Sequence, residues 1–343
     1  MKWPVIKRAI FLVVGVTVLL YLVRSAGTGS VRLYLQNLGP WIVVPFAFVG
    51  LQHALRSLSW YAAVKATGHP VPFLTLLRAR LGAECLGYLS LTGALGSQTS
   101  KVWLLREGVP MRRGAASVIV DALASAIAGV LYAGVALLVC QYMLALPTWT
   151  AAIGGGLVTL AVAGWAMATV WSEQRRHRVE DYDVLLNHPV PPGWRAAVRD
   201  SFRRVRAALV RLRGLHIARM ILIHLMGHVA LTLATWSILA LLGISSSFVI
   251  GLLFELGAKL GNVMGAFIPA RLGVFEAGVT ASSGILHMGA AAGLAVGLVR
   301  RLVDMIWVAL GLAILTVGAA QARPEVDEGE AGANTSPSVA RER

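Results

Sequence analysis

The chain has 343 residues, 57% of them hydrophobic and only 14% charged, and its mean hydropathy is +0.71. Soluble domains average nearer a quarter charged, so a soluble enzyme is excluded, and so many apolar residues leave no room for a large soluble catalytic domain. The net charge of +15 points to anionic lipid headgroups and not to nucleic acid, because basic residues flanking membrane spans belong on the cytoplasmic side.

The first predicted span runs from Val5 to Val23 behind Lys2, Lys7 and Arg8. It reads as an uncleaved signal anchor, since Ser25-Ala26-Gly27 supplies only loosely the small residues that cleavage needs. A second span covers Trp41 to Ala66, with Trp41 and Trp60 expected as interfacial anchors. Phe73 to Ser100 is apolar but broken by Gly82, Gly87, Gly93 and Gly96, and it carries Arg78, Arg80 and Glu84. Spans over Ala115–Tyr142 and Trp149–Trp171 follow.

Residues 172–216 then hold ten arginines against five acids, which places this loop in the cytoplasm. Within it Trp194, Val198, Phe202, Val205, Leu209 and Leu212 recur every three or four residues, the pattern of an amphipathic helix lying on the membrane surface or the bundle. Ile217–Leu242 is a clean span. Phe248–Pro269 is interrupted by Glu255, Lys259 and Asn262, Ala270–Met288 is rich in Gly and Ala, and Gly289–Ala319 is the last span. The expected fold is an all-α, polytopic membrane helix bundle. One integral membrane domain occupies 1–320, with repeat one at about 73–142, the basic loop at 172–216 and repeat two at about 248–319, followed by a disordered polar tail over 321–343.

The charge pattern constrains topology. With the N-terminus and the 172–216 loop inside, a full crossing by 73–100 would put Arg112 and Arg113 outside, whereas a re-entrant hairpin keeps them inside. The same logic makes 248–288 a hairpin entering from the outer face. Broken backbone at membrane depth is tolerated only inside protein or beside a wet cavity. The two regions also resemble each other: Ala79-Arg80-Leu81-Gly82 runs through Leu95-Gly96, and Ala258-Lys259-Leu260-Gly261 through Leu272-Gly273. Each precedes a span holding an aspartate, Asp121 or Asp304. Entering from opposite faces, they form an inverted repeat, the arrangement that marks a binding site in transporters.

Charges inside a membrane are functional or paired. Arg80 and Glu84, Glu255 and Lys259, and Arg300 and Asp304 each stand at i and i+4, one face of a helix. They read either as structural pairs or as a site whose cations hold a lipid phosphate while its carboxylates offset them. Lys101, Arg271, Arg300 and Arg301 are the expected phosphate contacts. Arg56 and His53 rank below them, because an arginine near a span end snorkels to the interface. His224 and His228, at i and i+4, lack the glutamate of a His-Glu-x-x-His site and read as helix-packing residues. Cys85 and Cys140 read as small core residues. No P-loop, nucleophile elbow or dinucleotide fingerprint occurs, so no catalytic residue, metal or cofactor is expected.

The stretch Gly96-Ser97-Gln98-Thr99-Ser100-Lys101-Val102-Trp103-Leu104-Leu105-Arg106-Glu107-Gly108-Val109-Pro110, continued by Ala116 to Asp121, resembles the first signature of the lysylphosphatidylglycerol synthase transmembrane-region family. Ile268-Pro269-Ala270-Arg271-Leu272-Gly273-Val274-Phe275-Glu276-Ala277, followed by Arg300 to Asp304, resembles its second, most specifically at Pro269, Gly273 and Glu276. The first departs from the family at Thr92, where proline is expected, and at neutral Ser97 and Gln98. The family includes the flippase half of the multiple peptide resistance factor, and proteins associated with hopanoid and glycolipid pathways. The resemblance implies a polytopic bundle that moves lipids between leaflets; without an aminoacyl-transferase domain it does not imply lysyl-lipid synthesis.

The expectation is therefore a flippase-like transporter of the bacterial inner membrane, handling an anionic phospholipid, a glycolipid or a polyprenyl-phosphate lipid. Its N-terminus, 172–216 loop and C-terminus would face the cytoplasm. Pro269 and Gly273 would break a helix to expose backbone N–H groups, Arg271 would attract phosphate, and Glu276 would orient that arginine or titrate. The expected site comprises Arg80, Glu84, Lys101, Asp121, Glu255, Lys259, Asn262, Pro269, Arg271, Gly273, Glu276, Arg300, Arg301 and Asp304. Two alternatives stand beside it: a membrane-embedded transferase acting on a lipid carrier, and a non-catalytic partner that recruits a cytoplasmic glycosyltransferase through the 194–213 helix.

Overall fold

The computed structural model describes residues 28–36, 38–90, 93–174, 214–244, 247–266 and 268–321, together with residues 17, 20, 21 and 24. The 194–213 helix, most of the basic loop, the polar tail, Thr92 and, apart from Thr17, Leu20 and Tyr21, the first span lie outside the described residues. Every regular element among the described residues is helical. In chain order they are α1 (Thr28–Gln36), a 3-10 turn (Pro40–Ile42), α2 (Val43–Ala66), α3 (Phe73–Leu89), α4 (Gly93–Leu104), α5 (Met111–Leu144) and α6 (Trp149–Gln174). After the basic loop come α7 (Gly214–Leu241), α8 (Phe248–Met264), a 3-10 turn (Pro269–Arg271), α9 (Val274–Ile285) and α10 (Ala290–Gln321).

Among the described residues, four stretches are long and apolar enough to cross a membrane: Pro40–Ala66, Met111–Leu144, Trp149–Val170 and His216–Leu241. α10 is as long as these, but Arg300, Arg301 and Asp304 stand across its middle. Both regions expected to be broken are helical hairpins. Each pairs a 17-residue helix with a 12-residue one, and the shorter spans about 18 Å against a hydrocarbon core of about 30 Å.

The order long, 17, 12, long therefore occurs twice, in α2–α5 and again in α7–α10. α3 and α8 begin at Phe73 and Phe248, 175 positions apart. At the same spacing, Gly68 and Gly243 carry the left-handed residues (φ 84° and 70°) that close α2 and α7, a turn glycine makes without a β-carbon clash. His53 matches His228, and Leu81-Gly82-Ala83 matches Leu256-Gly257-Ala258. This register sets Arg80 against Glu255 and Glu84 against Lys259. The sequence match of Ala79–Gly82 to Ala258–Gly261 is displaced by four residues, about one helical turn. An Ala-x-Leu-Gly pattern cannot detect such a slip, whereas the turn before each helix does.

α2 and α7 pack against each other more extensively than any other pair, while α3 lies on α10 and α8 on α5. Each hairpin is thus held partly by a long helix of the other run. In lipid such contacts depend on close approach more than on hydrophobic drive. A β-carbon on Gly261 would stand 2.6 Å from the Val274 carbonyl oxygen, and one on Gly257 would overlap the Gly278 carbonyl, so α8 and α9 meet backbone to backbone. Trp60 is not an interfacial anchor: it is fully buried, and its indole N–H reaches Ser117 Oγ of α5 at 3.2 Å. Trp41, 68% exposed, has the surface position an anchor needs.

Candidate functional site

A cavity of about 1030 Å³ lies between the two runs, walled by every long helix and by α3, α8 and α9. One side is apolar, formed by residues of α5 and α6 such as Val130, Leu137 and Leu157, and it reaches the α5–α6 turn at Leu146 and Trp149. The other side is polar. Of the fourteen expected site residues, Glu84, Glu255, Lys259, Asn262, Arg271, Arg300 and Asp304 line it.

The charges behind this wall are tied in two matching knots. In the first, Arg80 of α3 is fully buried, with Nη2 3.3 Å from Glu84 Oε1 and Nη1 3.8 Å from Asp121 Oδ2 of α5. Asp121 also accepts from Ser59 Oγ of α2 at 2.9 Å and faces His224 Nε2 of α7 at 3.0 Å. In the second, Arg300 of α10 has Nη1 3.5 Å from Glu255 Oε2 of α8 and Nε 3.4 Å from Asp304 Oδ1. Lys259 Nζ stands 3.7 Å from Glu255 Oε1, and Thr235 Oγ1 of α7 donates to Glu255 Oε2 at 3.0 Å. All three i, i+4 pairs form as their spacing requires. The inter-helix pairs, which spacing does not reveal, exchange sign: the hairpin helix contributes the cation in the first knot and the anion in the second. Since isolated buried charge is prohibitive, each helix carries the counter-charge of its neighbour.

The turn between α8 and α9 is strained. Ala270, Arg271 and Gly273 all have positive φ (51°, 54° and 75°), unfavourable for the first two. Glu276, fully buried, holds the turn by accepting from the Gly273 N–H at 2.9 Å and pairing with Arg301. Arg301 Nη1 donates in turn to the Ala270 carbonyl and to Tyr88 Oη of α3, each at 2.9 Å. Glu276 therefore engages Arg301 and not Arg271, correcting the expected orienting role, and neither Glu276 nor Arg301 lines the cavity. Arg271 does; its Nη1 donates to Asn262 Oδ1 at 3.0 Å. Replacing Glu276 by glutamine, which keeps a cap acceptor, is expected to cost about 1–3 kcal/mol. Alanine, which strands Arg301, is expected to cost about 3–5 kcal/mol, the two being ordered by unfolding midpoint in detergent.

Lys101 is also displaced from its expected place. It is 2% exposed, donates to Gln98 Oε1 at 3.1 Å and stands 5.7 Å from the Trp60 ring, outside the cavity lining. Arg80, Asp121 and Gly273 likewise stand behind the wall, and Pro269 opens the 3-10 turn. Arg56 and His53, ranked low in the sequence, both line the cavity. Among the described residues Arg56 has no carboxylate partner, and its Nε is buried without an acceptor. The signal was available: α2 contains no acidic residue, so an arginine at its centre has none of its own helix to pair with.

The fold and its cavity define a polytopic α-helical membrane protein with a polar interior. Residues 8–312 match the family model described as the lysylphosphatidylglycerol synthase TM region, and the chain belongs to that family. Membership relates it to lipid modification or flippase function. Among curated proteins, none matches this chain.

Proposed function

We propose that the protein is a flippase-like transporter of the bacterial inner membrane, which takes a lipid headgroup into the cavity while the acyl chains stay in the bilayer. The observation that carries this reading is the two-sided cavity. Its apolar wall suits the glycerol end of a lipid whose chains lead out to the bilayer, and its polar residues include two cations, Arg56 and Arg271, that form no ion pair among the described residues. Such cations suit an anionic phospholipid, a glycolipid phosphate or a polyprenyl phosphate.

In this reading α3–α4 and α8–α9 are re-entrant hairpins of an inverted repeat, and α2–α5 and α7–α10 rock against each other to alternate access. The basic loop and both termini face the cytoplasm. The cavity reaches the α5–α6 turn, while the opposite end is filled by a cluster that includes Trp60, Leu76, Ala116, Met220 and Ile221. The described conformation is then outward-facing.

Flipping of fluorescent phosphatidylglycerol and polyprenyl-phosphate analogues in proteoliposomes tests the proposal. Wild type is expected to flip them, and Arg56→Gln to do so at least about tenfold more slowly, the loss of one charge-assisted contact being worth about 1.5–3 kcal/mol. Wild-type flipping no faster than in empty liposomes would overturn it and favour a transferase or a scaffold for a cytoplasmic glycosyltransferase.

A further inference from the structure

We infer that a phosphate ester is held at the seam between α2 and α7, by Arg56, His228 and His53, and not at the α8–α9 turn where the sequence placed it. The inference rests on the lipid-handling reading above and assigns its headgroup contact.

Lys259 Nζ lies 2.7 Å from His228 Nδ1. An ammonium can only donate, so Nδ1 accepts, and the proton of the neutral ring is on Nε2. That Nε2–H is buried and has no acceptor in the protein. Arg56 Nε–H, a donor in every state, is in the same position, as is His53 Nδ1. All three side chains line the one cavity. Orphaned buried donors cost about 1–3 kcal/mol each and are few in folded proteins, so a group of them beside a single space is informative.

Glycines border two of these side chains, and Gly129 also lines the cavity. A β-carbon on Gly129 of α5 would stand 3.7 Å from His228 Nε2, its nearest neighbour, and one on Gly227 of α7 would stand 3.7 Å from Arg56 Cγ. The three nitrogens are covered in this conformation, so contact with a ligand requires their side chains to turn toward the cavity. At least two are donors and one belongs to a permanent cation, which favours a ligand that presents anionic oxygens. Arg271, by contrast, already has an acceptor in Asn262. His53 and His228 also hold equivalent places in the two runs, 175 residues apart, on the two helices that pack most extensively. A headgroup between them stays in contact with both runs when these move.

Native mass spectrometry of the full chain in neutral detergent tests this, with dioleoyl phosphatidylglycerol, dioleoylglycerol and inorganic phosphate as probes. Wild type is expected to bind phosphatidylglycerol saturably and at least about tenfold more tightly than dioleoylglycerol. Arg56→Gln should weaken this about tenfold, as should Gly129→Leu, which fills the space before His228 Nε2 without removing a charge. Arg56→Lys should recover part of the loss.

Equal wild-type binding of the two lipids overturns the inference, and needs no variant to fold. So does phosphatidylglycerol binding unchanged in both Arg56→Gln and Gly129→Leu but lost in Arg271→Ala, an outcome that leaves the transporter reading standing. Inorganic phosphate bound in an Arg56-dependent manner while neither lipid binds keeps the seam as a phosphate site and overturns the lipid reading.

Discussion

Arg300→Ala is expected to destabilise the protein by about 3–5 kcal/mol, read as a large fall in the unfolding midpoint in detergent. Arg300 is 8% exposed and is the shared partner of Glu255 and Asp304, and its Nη1 also donates to Thr235 Oγ1 at 3.2 Å. Removing it leaves two carboxylates facing each other, with Lys259 beside only one of them. The loss should be contextual: Arg300→Met combined with Asp304→Asn removes cation and anion together, leaves Glu255 paired with Lys259, and should restore most of the midpoint, because the cost arises from unbalanced charge. An unchanged midpoint in Arg300→Ala would show that water already screens this knot. The corresponding experiment on the first knot pairs Arg80→Met with Glu84→Gln, which leaves Asp121 with Ser59 and His224.

Gly257→Leu is expected to abolish recovery of monodisperse protein, as read by size-exclusion chromatography of a fluorescent fusion. A β-carbon there overlaps the Gly278 carbonyl and Ser282 Oγ, and a helix backbone cannot yield as a flexible side chain does. Overpacking a well-fitted site typically costs about 1–3 kcal/mol, and more when backbone must move. Gly155→Leu is the control: a β-carbon at Gly155 meets nothing within 4 Å, so the same chemical change should leave recovery near wild type. Equal recovery of the two variants would mean that α8 and α9 do not depend on their close approach.

The helices were legible because span length and hydropathy mark them directly: α5, α6, α7 and α10 begin and end within a few residues of their expected bounds. The hairpins could be read from glycines and charges that a lipid-facing span does not tolerate. The i, i+4 pairs followed from helical spacing alone. The pairs Arg80–Asp121 and Arg300–Glu255 did not, since they depend on which helices become neighbours. Glu276 carried a readable signal that was passed over: an acid three residues after Gly273 is placed to cap a helix N-terminus. Lys101 was misplaced because its local partners, Gln98 and Trp60, are ordinary residues with no charge to announce them. Arg56 was ranked low for standing alone, the same property that distinguishes it in the cavity.

The exchange of sign between the two knots bears on how the molecule responds to an electric field. A two-fold axis in the membrane plane reverses the component of any vector along the membrane normal. If the runs are inverted as proposed, two identical ion pairs would present opposing dipoles along the normal and cancel. Reversing the charges in one pair reverses its dipole again, so the two components add. When the runs exchange conformations between the outward- and inward-facing forms, each knot takes up the orientation that the other gives up, so the summed component is the same in both forms. Moving one elementary charge through the full potential is worth about 2.3 kcal/mol per 100 mV, and the equal sums keep the two knots from adding such a cost to the balance between outward- and inward-facing forms.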